Sequence, residues 1–152
     1  MPADTHETID DKTALICDDS KDRQEEAAES LDDLGYKVQT AESPDDAYER
    51  VKHNQFDIIY LHANFGGGNP ESNEVLEFIQ SMPMSARRKI FVVLAGASYT
   101  TNDNMKAYSE SVNVVINEAD MREFKQVLKK SVTTNNMFYK VYNEMLRAVG
   151  KA

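Results

Sequence analysis

Apolar and polar positions along this chain fall into two alternating rhythms. Consecutive apolar runs occur at Thr13 to Cys17, Ile58 to Leu61, Ile90 to Ala97 and Val112 to Ile116, each stopped by polar or glycine residues. Such runs are read as strands buried on both faces. Tyr36, Val38 and Thr40 alternate with Lys37 and Gln39, the pattern of a half-buried or edge strand. Between the runs, apolar residues recur every three or four positions: Ala27, Leu31 and Leu34; Ala47, Tyr48 and Val51; Val75, Leu76, Phe78 and Ile79; more weakly Met105 and Tyr108; then Met121, Phe124, Val127 and Leu128. These spacings predict helices with one apolar side.

Local signals punctuate the helices. Asp22 with Glu25 and Asp120 with Glu123 have capping-box spacing. Ser43-Pro44 offers a capping hydroxyl and a proline at the first helical position, while Gly35 and Met82-Pro83 are stop signals. Strands alternating with helices predict an α/β fold: a five-stranded parallel sheet with helices on both faces, a three-layer sandwich. Gly66-Gly67-Gly68 follows the central run. With no Lys-Ser/Thr after it and no Rossmann spacing, the triplet reads as a turn with positive backbone angles, not a phosphate loop.

At 152 residues, the chain suits one domain with an appendage. Residues 1–12 read as a mobile polar tail, 13–132 as the α/β domain, and 133–152 as an added amphipathic helix. Phe138, Val141, Tyr142, Met145 and Val149 give that helix an apolar stripe, ended by Gly150. The stripe must be covered by the chain's own helices or by another protein, a second copy included.

A net charge of −9 excludes a nucleic-acid footprint, which needs surplus Lys and Arg. No apolar run approaches membrane length, and the first residues lack the basic-then-apolar order of a signal peptide, so a cytoplasmic location is expected. Arg87-Arg88-Lys89 reads as a solvated loop. The single cysteine, Cys17, lies within a strand and reads as a buried core thiol.

In parallel sheets, reacting groups gather at the carboxyl ends of the strands. The residues there are Asp18 and Asp19, His62 and Asn64, Ala95-Gly96, and Asn117.

Leu15-Ile16-Cys17-Asp18-Asp19-Ser20, the Gly35-Tyr36 entry to the second strand, and Phe56-Asp57-Ile58-Ile59-Tyr60-Leu61 resemble, in order and spacing, the receiver (CheY-like) domain of bacterial response regulators. The resemblance spans about Thr13 to Val132 and implies two-component signalling. It further implies that an acidic pair binds magnesium, an aspartate ending the third strand accepts a phosphoryl group, and a hydroxyl and a lysine hold the phosphoryl oxygens. Carried over, Asp18 and Asp19 match the pair, but His62 stands at the acceptor position, Ala95 at the hydroxyl, and Asn117-Glu118 at the lysine-proline. Val114 stands at the position of the family's switch aromatic, and Gly66-Gly67-Gly68 replaces its proline-glycine turn.

The expectation is therefore a degenerate pseudo-receiver, not an enzyme, in which Asp18, Asp19, His62, Ala95 and Asn117 form a pocket without its reaction. A protonated His62 is expected to neutralise the two carboxylates. No cofactor is expected; a magnesium ion on Asp18, Asp19 and Asn64 is the alternative. Function is expected through protein contacts on a surface including Met105, Tyr108, Val114, Phe138, Tyr142 and Met145. The runner-up is an atypical metal-binding or phosphoacceptor protein using Asp18, Asp19 and His62. A small-ligand sensor using the cleft beneath the glycine loop is the third reading.

Overall fold

The computed structural model describes residues 12–69, 71–134 and 145. Five strands alternate with helices: β1 (Lys12–Cys17), α1 (Lys21–Asp33), β2 (Tyr36–Thr40), α2 (Pro44–His53), β3 (Ile58–His62), α3 (Glu74–Gln80), the short α4 (Met84–Arg87), β4 (Phe91–Gly96), α5 (Asn104–Glu110) and β5 (Val114–Asn117). A 3-10 turn over Phe65–Gly67 follows β3, and another over Glu118–Glu123 leads into α6, which covers residues 124–134. The sheet is wholly parallel in the order β2-β1-β3-β4-β5.

β1, β3, β4 and β5 carry apolar runs because both of their faces are covered, while β2, at the sheet edge, alternates. Leu15, Ile59, Leu61, Val92 and Leu94 pack on one side with Val75, Ile79 and Ala107 of α3 and α5. Ala14, Ile16, Ile58, Tyr60, Val93 and Ile116 pack on the other with Leu31 of α1 and Phe124 and Leu128 of α6. Each fully buried Val, Leu, Ile or Phe side chain among them contributes about 1.5–3 kcal/mol. Tyr60 meets Phe124 edge-on, with centroids 5.5 Å apart and planes at 74°.

Register fixes the site. Ile16 lies beside Tyr60 and Cys17 beside Leu61, so one step further Asp18 comes abreast of His62. Because strand side chains alternate, Asp18, Tyr60 and His62 all face α1. On the other side of β3, His62 is paired with Ala95.

Several local expectations are corrected. Ser20, not Asp22, caps α1: its hydroxyl accepts from the Arg23 N–H at 3.4 Å. Only Asp18-Asp19 separates that residue from the sheet, so the helix starts at once and Asp22 falls in its first turn. Asp120 and Glu123 form no capping box; they lie in the 3-10 turn, whose cap is Asn117, accepting from the Ala119 N–H at 2.8 Å. Arg87-Arg88-Lys89 is not a plain solvated loop. Arg87 ends α4, a helix absent from the expected pattern, and binds the carbonyls of Ile90 (2.8 Å) and Ser111 (2.7 Å).

The tail of residues 1–12 lies outside the described residues except Lys12, which opens β1. The C-terminal helix likewise lies outside them, apart from Met145, which is helical. α6 itself runs past Val132 to residue 134. Among the described residues, no helix is long and apolar enough to cross a membrane.

Candidate functional site

Asp18 leaves β1 with its carboxylate 1% exposed. Four donors reach it. Oδ1 accepts from the Ser20 N–H at 2.9 Å and from Arg23 Nη2 at 3.0 Å. Oδ2 accepts from Arg23 Nε and from the Tyr60 hydroxyl, both at 2.8 Å. A carboxylate offers about four lone-pair positions, and here all are taken. The Arg23 pairing is the two-pronged fork that guanidinium makes with carboxylate. That bond to Asp18 raises the Arg23 pKa above its already high value. Burial, reinforced by the Asp18 charge, pushes the Tyr60 phenol well above its ordinary value, so it stays a donor.

His62, at the end of β3, is 2% exposed. Its Nδ1 accepts from the Asn64 backbone N–H at 3.1 Å, and its Nε2 lies 2.7 Å from Glu118 Oε1. A nitrogen that accepts carries no proton, and a carboxylate accepts only, so Nε2 holds the ring proton and donates to Glu118. The expected pairing of a protonated His62 with Asp18 and Asp19 is therefore corrected. Arg23 neutralises Asp18, His62 donates to Glu118, and Arg23 Nη1 lies 3.8 Å from the same Glu118 oxygen. The result is one chain of contacts, Tyr60–Asp18–Arg23–Glu118–His62, running from β1 and α1 to the ends of β3 and β5.

Asp19 is exposed and accepts from the Gly66 N–H at 2.9 Å. Gly66 has φ +70, and a Cβ there would lie 2.4 Å from Pro44 Cγ, so both conformation and space require glycine. Asn73, buried at the start of α3, donates to the carbonyls of His62 (3.1 Å) and Ala63 (2.8 Å) and caps the helix through the Leu76 N–H. The glycine loop is thus tied down at both ends.

Ala95 is fully buried, and its carbonyl accepts from the Ala63 N–H at 2.8 Å. Asn117 turns its amide to the Tyr99 carbonyl at 2.7 Å and the Ala97 carbonyl at 3.2 Å, holding the loop after β4 instead of the acidic corner. Thr101 joins this loop to the 3-10 turn through Asp120 and the Asn117 N–H. Tyr99 packs its ring on Gly96, where a Cβ would lie 2.9 Å away. Its hydroxyl is buried without a hydrogen-bond partner. Burial, with Glu110 nearby, pushes that phenol up to about 12.

Magnesium, which the resemblance implies, takes oxygen ligands. These residues do not fit it as arranged. Asp18 has no free acceptor position, Asp19 turns Oδ2 to Gly66, and Asn64 is exposed with its N–H on His62. Among the described residues, no group of three or more His, Cys, Asp and Glu side chains could hold a metal ion. Burial pushes the Cys17 thiol up, away from reactivity.

Of the surface residues, Met105 and Tyr108 on α5 are 78% and 84% exposed, and Met145 is also exposed. Val114 is corrected: it is buried in β5 and offers no surface. Phe138 and Tyr142 lie outside the described residues. A cleft of about 720 Å³ lies between the segment after the glycine loop and α5, lined by Asn69, Glu71, Ser98, Tyr99, Lys106 and Glu110 and by none of the three glycines; Lys106 is already paired with Glu110 at 3.1 Å.

Arg23, Tyr60 and Glu118 were not singled out from the sequence. Strand alternation carried the signal for Tyr60, which shares a parity with His62, and Arg23 follows Asp18 within the first turn of a helix. Nothing local marked Glu118 as the partner of His62.

No protein-family model and no curated protein matches the sequence. Solved structures do. Chemotaxis response regulator CheY4 of Vibrio cholerae is 18% identical, with a TM-score of 0.60 over 82% of this chain and 98% of that one. A response regulator from Thermotoga maritima is 16% identical, with a TM-score of 0.62 over 81% and 98%. NtrX from Brucella abortus, solved in complex with ADP, is 17% identical, with a TM-score of 0.68 over 93% of this chain and 30% of that one. With the parallel order β2-β1-β3-β4-β5 and the acidic corner at the strand ends, the chain has the fold of response-regulator receiver domains.

Proposed function

We propose that this chain is a pseudo-receiver, a signalling module of the two-component type that acts by protein–protein contact without aspartyl phosphorylation. The observation that carries this reading is the saturation of Asp18, whose four acceptor positions are filled by Arg23, Ser20 and Tyr60. A phosphoacceptor site needs hard cationic charge beside a free nucleophile. Here the cation is a tethered guanidinium already committed to Asp18. The residue at the acceptor position has no free lone pair either: His62 Nδ1 accepts from Asn64 and Nε2 carries the proton. The contact surface is α5 with Met105 and Tyr108, joined by the segment 133–152, which we assign to partner or homodimer contacts in the cytoplasm.

Intact-mass measurement after incubation with acetyl phosphate and magnesium tests the reading. The expected result is an unmodified chain with an unchanged unfolding temperature. A phosphoryl adduct, or a magnesium-dependent rise in that temperature, overturns it in favour of a metal-dependent phosphoacceptor, because a ligand stabilises the state it binds.

A further inference from the structure

A hydrogen bond and an ion pair from different elements converge on one oxygen. His62 Nε2, from β3, donates to Glu118 Oε1 at 2.7 Å, and Arg23 Nη1, from α1, lies at ion-pair distance from the same oxygen, 3.8 Å. Glu118 is supplied by neither element; it is the first residue of the 3-10 turn after β5. Its side chain is 32% exposed, against 3% for His62 and 26% for Arg23. The donors thus line a recess, and the carboxylate enters it from the solvent side.

We propose that Arg23 and His62 form a small oxyanion site and that Glu118 is its built-in occupant. The proposal rests on the metal-free reading above and adds a ligand class to it. The recess suits an anion for three reasons. Arg23 shares its positive charge with Asp18 but leaves Nη1 outside that fork, 3.8 Å from the Glu118 oxygen. His62 offers a nearly buried N–H that is costly to leave without an acceptor. The nearest other charges do not oppose an anion strongly: Asp18 is already neutralised by Arg23, and Asp19 is turned to the Gly66 N–H. A carboxylate or phosphoryl oxygen would satisfy both donors. A tethered occupant has a high effective concentration, so the native chain excludes free anions from the recess and stays in one arrangement.

The test removes the occupant from the full-length chain and supplies another. In Glu118→Ala, the unfolding temperature should rise by about 5 °C at roughly a hundredfold excess of acetate or inorganic phosphate over the dissociation constant. The His62 Nε2 resonance should shift in step. The native chain, titrated alongside, corrects for the general effect of salts on stability, and its His62 signal should stay in place. Response to acetate alone marks a carboxylate site, and response to phosphate alone marks a phosphoryl-shaped one; either supports the proposal. Parallel behaviour of variant and native chain, or a His62 signal that does not move, overturns it. If Glu118→Ala does not fold, Glu118→Ser carries the same titration, since a short hydroxyl leaves the recess open while keeping an acceptor near His62. These titrations contain no magnesium and no phosphodonor, so their failure and that of the phosphorylation experiment are read separately.

Discussion

Two corners of the same sheet edge lack the groups that the receiver resemblance implies, and each is held in its own way. At the ends of β1 and β3, charged and polar side chains are linked end to end: Tyr60, Asp18, Arg23, Glu118 and His62. At the ends of β4 and β5, Ala95 is buried without a polar side chain, Asn117 holds a loop, and the Tyr99 hydroxyl is buried without a partner. The first corner is held by directed bonds whose members depend on one another. The second is held by separate ties, Asn117 to two loop carbonyls and Thr101 to Asp120, and the helix carrying the exposed Met105 and Tyr108 packs on β5. The acidic corner is thus one linked network, while the far corner is a set of loop ties beside an exposed helix face.

The largest test of this contrast is Arg23→Ala. It strands the buried Asp18 carboxylate and should cost about 3–5 kcal/mol in urea unfolding, the range for breaking a buried pair. Adding Asp18→Asn should recover at least half of that loss; if it does not, Arg23 acts by packing and not by charge.

A matched pair of hydroxyl deletions sharpens the comparison. Tyr60→Phe removes a donor to a buried carboxylate and should cost about 1.5–3 kcal/mol. Tyr99→Phe removes a buried hydroxyl with no partner and should leave stability unchanged or raise it by up to about 1 kcal/mol. Equal losses at both positions would erase the distinction between the corners. The smallest effect on stability belongs to the surface: Met105→Ser with Tyr108→Ser should shift it by less than about 0.5 kcal/mol. Partner contact or self-association, followed by light scattering, should nevertheless weaken severalfold.

The fold was legible because it follows from periodicity. A strand buried on both faces must be apolar throughout, and a run as short and as apolar as Ile58 to Leu61, closed by a polar residue, suits a central strand. The acidic corner was legible in part, since Asp18, Asp19 and His62 stand where runs end. Its bonding was not. Which cation meets Asp18 depends on the reach of Arg23 around the strand-to-helix corner, and His62 found Glu118, 56 positions away, through sheet order alone. Tyr60 was hidden because its ring belongs to the core and only its hydroxyl belongs to the site. The α1 cap was misplaced because a capping box and a nearer serine compete, and local spacing does not choose between them. Val114 was assigned to the surface by position, whereas its place in β5 buries it.

The contact between Gly66 and Pro44 reaches beyond either residue. The glycine loop leans on the first turn of α2 so closely that no side chain fits between them. The two positions are therefore bound to vary together. In a library randomised at both and selected for folding, Asn at 66, which tolerates a positive φ, should survive only with a small residue at 44, and proline at 44 only with glycine at 66.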